Sequence, residues 1–204
     1  NSAPATFSLG GAIFCDNGGQ ATFGAVIKDS VFYNNSVGRH GGAIDWVGKN
    51  GEIINSTFLD NYAMSAGAIL VCDFADNMKI INSSFISNRA TSSNGGAIEV
   101  WGPNAVITDS NFTSSEAHDK GGAIAGFNVH NITISDLIIK FSEVSGFHDP
   151  DGTVHGEGGA IYLQNSNGLN ITRITLYDNE AHLQGGSIAL INCNDSTLSD
   201  MSID

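Results

Sequence analysis

Residues 81–98, INSSFISNRATSSNGGAI, contain two anchors that recur along the whole chain. The later one, Gly95-Gly96-Ala97-Ile98, is repeated at residues 10–13, 41–44, 121–124 and 158–161. Near copies stand at 66–69 (AGAI) and 185–188 (GGSI). The earlier one centres on Phe85. Its counterparts are Phe32, Phe58, Phe112, Ile139, Leu176 and Ile203, at intervals of 26, 27, 27, 27, 37 and 27 residues. A near-constant period with one insertion means one unit stacked about seven times.

Positions within the unit alternate with period 2. Five residues before the Phe position stands Ile27, Ile53, Ile80, Ile107, Ile134, Ile171 or Leu198. Two residues after the GGAI isoleucine stands Cys15, Trp46, Val71, Val100, Gly126, Leu163 or Leu190. Such alternation predicts strands with these residues inward. Asx residues at fixed places predict corners, because their side chains bond nearby backbone and tolerate left-handed dihedrals. They stand three before the Phe (Asp29, Asn55, Asn82, Asp109, Asp136, Asp200) and three after it (Asn35, Asn61, Asn88, Asn179). No helical periodicity appears. A 27-residue unit of short strands buries its apolar face only by stacking on its neighbours, each strand pairing in parallel one turn away at ~4.8 Å. The sequence therefore predicts an all-β chain: a right-handed parallel β-helix of about seven coils, with three strands per coil. In it the aromatics form an internal column and the asparagines a ladder. A β-propeller would need blades of ~40–45 residues with antiparallel hairpins. The repeats span 1–204 as a single segment, interrupted by an inserted loop at 145–157. The chain reads as a piece of a longer repeat protein, its end coils covered by further repeats of the same parent.

Composition narrows the function classes. The chain has 204 residues, 25 Gly, 3 Pro, 8 Lys plus Arg, and a net charge of −13. That balance speaks against nucleic acid and against anionic membrane surfaces, since phosphate binding needs clustered cations. No run approaches the ~18 apolar residues that span a bilayer, so membrane insertion by this segment is not expected. A surface rich in Asn, Ser and Thr points to an extracellular setting. Cys15, Cys72 and Cys193 form neither a disulfide framework nor a zinc pattern.

The paired anchors, GGAI with FYNN (32–35), FLDN (58–61) and FISN (85–88), resemble the repeats of chlamydial polymorphic outer-membrane proteins. The fuller unit is similar to the adhesin-like surface proteins of methanogenic archaea. The resemblance implies a secreted, cell-surface β-helix that mediates attachment, with a host or partner cell-surface protein or glycan as its partner. It implies no catalytic residues and no cofactor. It weakens at Ser115 and Ser142, where Asn is lost, and at Ile139, Leu176 and Ile203, where Phe is lost.

Several side chains are candidates for chemistry. Asp149, Asp151 and Glu157 in the inserted loop surround a Pro-Asp-Gly turn, so calcium is considered there. His118, His155 and His182 precede GG corners and could approach one another as ligands of a transition metal. The residue between the two inward positions of each GGAI strand points outward. This row includes Phe14, Leu70 and Tyr162, which with His148 and His155 form the expected ligand face. The same row carries Asp45 and Glu99, two coils or ~9.6 Å apart. That separation is near the wide limit for an inverting glycosidase pair, so a polysaccharide lyase or glycoside hydrolase is the alternative to a non-catalytic adhesin. Glycosylation sequons begin at Asn34, Asn55, Asn82, Asn111, Asn131, Asn170 and Asn194.

Overall fold

A computed structural model describes residues 1–3, 8–16, 24–147 and 154–204. Every described strand pairs in parallel with its equivalent one coil away, and no helix occurs among the described residues. The predicted β-solenoid is therefore the fold. Three sheets run along it. The glycine sheet contains the strands that follow each GG pair, from Ile13–Cys15 through Ile98–Val100 to Ile188–Ile191. The short sheet stacks two-residue strands, among them Tyr62–Ala63, Arg89–Ala90 and Glu116–Ala117. The aromatic sheet carries the Phe column.

In the first four coils each turn of the aromatic sheet is two three-residue strands, for example Lys79–Ile81 and Ser84–Ile86. In the last three it is one long strand: Thr133–Lys140, Asn170–Tyr177 and Thr197–Ile203. A single row explains the change. Ser30, Ser56, Ser83 and Ser110 occupy the bend early, and Leu137, Ile174 and Met201 later. Each serine hydroxyl donates to the carbonyl two residues back, as Ser83 does to Ile81 at 2.9 Å. From Ser56 onward it also accepts the backbone N–H of the previous coil's serine, as Ser83 does from Ser56 at 3.2 Å. Side chain thus replaces part of the backbone ladder, and the strand is interrupted. An aliphatic residue cannot do this, so the ladder runs through Leu137–Ile174–Met201. The residue before this row keeps a positive φ in all seven coils, from Asp29 at 51° to Asp200 at 53°; it is Asx in six of them and Arg173, at 53°, in the other.

The core follows the predicted columns. Phe32, Phe58, Phe85 and Phe112 stack with centroids 4.8, 4.9 and 4.7 Å apart and rings within 5° of parallel. Ile139 and Leu176 continue the column, fully buried. The asparagine ladder is also present. Asn35 donates its Nδ2 and backbone N–H to Asn61 Oδ1, at 2.8 and 3.0 Å. Asn61 does the same to Asn88 Oδ1, at 2.9 and 3.1 Å. The left-handed residue at this corner is the one before the Asn, such as Asn34, Asp60 or Ser87. The buried Asn bridges coils rather than turning the chain. A further Asx corner not read from the repeat lies at Asn50, Asn77, Asn104 and Asn131, all at positive φ.

The two glycines of the motif have different causes. Gly95 has φ +64°, a conformation L-residues avoid, although Ala66 holds the equivalent position at 55°. Gly96 has ordinary φ, but a Cβ there would collide with the Gly122 carbonyl of the next coil. The same collision recurs from Gly11 to Gly159.

Candidate functional site

The row expected to be a ligand face is not a free surface. Asp45, Leu70, Glu99, Ala125, Tyr162 and Ala189 do lie opposite the core, yet all are buried. Only Phe14 is exposed. Segments on both sides of the glycine sheet fold over this row. Ser65 Oγ and Trp101 Nε1 donate to the Glu99 carboxylate, the latter at 3.0 Å. Cys72 Sγ donates to Asp45 Oδ1 at 3.3 Å. Phe127 stacks on Trp101 at 5.0 Å and leans on Tyr162 at 5.7 Å, and Lys120 Nζ lies 5.7 Å over the Tyr162 ring. Alternation fixed which face these residues occupy; it carried no information on whether loops cover that face. The correction extends to Asp45 and Glu99. Loss of solvent raises both pKa values, that of Asp45 to about 6 against the opposing Cys72 hydrogen bond. Leu70 stands in register between them. Both carboxylates are covered and hydrogen-bonded, out of reach of a polysaccharide chain.

The histidines do not converge either. Phe147 is sandwiched between His118 and His155, at centroid distances of 4.7 and 4.1 Å. The Cβ of His182 packs against the backbone of Gly146 and Gly156. His155 Nδ1 lies 3.1 Å from Asp119 Oδ1, which also accepts from Lys120 Nζ at 2.8 Å. Lys120 also pairs with Glu157 at 3.4 Å. Glu157, a candidate calcium ligand, is thus in an ion pair. His148, Asp149 and Asp151 lie outside the described residues. Among the described residues no three His, Cys, Asp or Glu side chains gather as a metal site.

All seven sequon asparagines are exposed. Three of them donate Nδ2 to the next ladder member: Asn55 to Asp29, Asn82 to Asn55 and Asn131 to Asn104.

The site the sequence did not disclose is a groove of ≈ 420 Å³ at the corner between the aromatic and short sheets. It is lined by Asn34, Asp60, Asn61, Tyr62, Ser87, Arg89 and Thr91. The left-handed bend residues Asn34, Asp60 and Ser87 follow one another along one wall. Tyr62 and Arg89 are register partners in adjacent strands. Tyr62 is 47% exposed. Arg89 pairs through Nε with Glu116 at 3.2 Å. The signal was present in the repeat: the position four residues after the Phe reads Ser36, Tyr62, Arg89, Glu116, Glu143, Glu180. It varies where its neighbours repeat.

Comparison with known families finds one match. Residues 29–45 fit the Chlamydia polymorphic membrane protein repeat. This stretch runs from the Asp29 bend through Phe32 and Asn35 to the GG corner and Asp45, so it includes both anchors of one unit. No curated protein and no solved structure matches the chain.

Proposed function

We propose that this β-solenoid is a cell-surface binding and stalk module that attaches to a glycan or protein of another cell, without catalysis. The observation that carries this reading is the polymorphic membrane protein repeat at residues 29–45, which points to a surface-exposed, outer-membrane type of protein. The regular coils suit a rigid spacer. The burial of Asp45 and Glu99 weighs against the glycosidase alternative at that pair. The test is attachment of the labelled segment to a panel of cells, with reducing-end detection on the same glycans. Saturable attachment without new reducing ends is the expected result. Absence of attachment to every cell type, or turnover of any glycan, would overturn it.

A further inference from the structure

We infer that the corner groove between Tyr62 and Arg89 is a sugar-binding site for a neutral hexose residue within an oligosaccharide. This rests on the attachment reading and gives it a ligand class.

The argument begins with shape. A groove of ≈ 420 Å³ falls within the range of ~300–1,000 Å³ typical of small-ligand sites. Its residues supply the two things a pyranose needs. Tyr62, an exposed aromatic lining the groove, offers a ring for the C–H side of a sugar, with a polar tip at its edge. Asp60 offers two acceptor oxygens for vicinal hydroxyls. Arg89, Asn34, Ser87 and Thr91 surround them with donors and further acceptors. The bend residues of the wall sit at φ 51° to 54°, fixed by stacking against the coils above and below. The backbone beneath the groove is also held: the Asn61 amide, which lines it, is locked between Asn35 and Asn88. Little ordering remains to be done on binding.

Charge selects the ligand class. Within the groove Asp60 and Arg89 balance, and Glu116 already engages Arg89. Beyond Arg89 the same row continues as Glu116, Glu143 and Glu180, directly in register. The whole chain carries −13. A uronate or sialate chain lying along the rod would meet this stripe, whereas a neutral chain meets only hydroxyl partners.

The test uses the whole 204-residue chain made in a host without N-glycosylation, because Asn34 begins a sequon on the groove wall. Calorimetry is run against neutral trisaccharides (mannotriose, galactotriose and cellotriose), with trigalacturonate as the acidic comparison. Saturable binding of at least one neutral probe is expected, weakened about tenfold or more in Tyr62→Ala and in Asp60→Asn, the loss of one stacking or charged hydrogen-bonding contact. Tyr62→Phe retains binding. Both positions are exposed, so unchanged thermal unfolding shows that the variants fold. No binding to any neutral probe, unaltered affinity in both variants, or preference for trigalacturonate overturns the inference. The cell-attachment assay run on the same variants separates the two readings. Attachment to cells by a parent chain that binds none of the neutral probes removes the groove and leaves the attachment module standing. Sugar binding by a chain that attaches to no cell does the reverse.

Discussion

Coils one to four place Phe at the column, Asn or Ser at the ladder and Ser at the bend. Coils five to seven place Ile or Leu at the column and Leu, Ile or Met at the bend. The outer row of the glycine sheet shifts in the same direction, from Asp45 and Glu99 to Ala125, Tyr162 and Ala189. The backbone repeats throughout, so the fold tolerates two chemistries in one frame. The early coils are held by directional bonds: ring stacks, amide ladders, hydroxyl bends. The later coils keep one ladder amide, Asn179, which accepts from the Ser142 N–H and donates to the Ile139 carbonyl, both at 3.0 Å, and otherwise rely on aliphatic burial and continuous backbone pairing. Directional bonds leave polar groups that fail badly when a partner is removed, while aliphatic packing does not.

The sharpest test compares Asn61→Ala with Ser142→Ala. Asn61 accepts two bonds from Asn35 and donates to Asn88 Oδ1 and to the Phe32 carbonyl at 3.0 Å. Its removal takes the acceptor from two buried Asn35 donors and one donor each from the Phe32 carbonyl and Asn88 Oδ1, so a loss of about 3–4 kcal/mol is expected in urea unfolding. Ser142 occupies the same row in the later coils, and its hydroxyl already has no partner among the described residues. Ser142→Ala is expected to change stability by less than about 0.5 kcal/mol. Equal losses in the two variants would erase the distinction.

The second comparison concerns pH. Asp45 is buried and its pKa is raised to about 6, first by desolvation. The folded state therefore holds this proton more tightly than the unfolded state, whose carboxyl titrates near ~3.9. Sign follows from linkage: the favourable contribution is whole below pH ~4 and is lost as pH rises through about 6. A two-unit shift corresponds to roughly 3 kcal/mol at most. Asp45→Asn is thus expected to be more stable than the parent at pH 7 and equal to it at pH 4, because Asn keeps an acceptor for Cys72. Glu99 shifts in the same direction for the same reason. An Asp45→Asn curve parallel to the parent from pH 4 to 7 would show that the burial carries no cost.

Ser115→Asn asks whether the early chemistry can be extended. Ser115 is fully buried, next to Asn88 in the ladder, and its hydroxyl has no partner among the described residues. An asparagine there would accept from Asn88 as Asn88 accepts from Asn61. A gain of about 1 kcal/mol is expected, with the denaturation midpoint raised and its slope unchanged. Destabilisation would mean that the fourth coil has closed around the smaller side chain.

Much of this architecture was legible because stacking copies each residue onto its own kind. Phe85 and Asn88 announce a column and a ladder once their repeats are aligned. What remained hidden depends on contacts between non-equivalent positions. Nothing in the period says that Trp101 and Ser65 reach over Glu99, or that Phe147 enters between His118 and His155. The bend row could have been read, since Ser30 to Ser110 changing to Leu137, Ile174 and Met201 is visible in the alignment. Its meaning needed the hydroxyl geometry. The groove belongs to the same class: Tyr62 and Arg89 break a row, and only the corner's shape makes that break a site.

The smallest expected effect lies on the outermost row, where coils five and six form an ion pair. Asn55 and Asn82 form part of an exposed amide ladder at the Asx bend. Two and three coils beyond Asn82, Asp136 and Arg173 replace it with a bidentate ion pair, Nε and Nη2 at 2.6 and 2.7 Å. The pairing lowers the Asp136 pKa and raises that of Arg173, chiefly through these hydrogen bonds. The Arg173 side chain is 57% exposed, however, so water and salt compete for both partners. Arg173→Asn restores the early chemistry at this bend: Asn tolerates the positive φ of 53° found there and can donate an amide N–H to Asp136. Its unfolding midpoint is expected to match the parent's at physiological salt and to fall slightly below it only at low ionic strength, where the lost cation is unscreened. A large loss at both salt concentrations would show that the exposed row, not the buried one, holds the later coils in register.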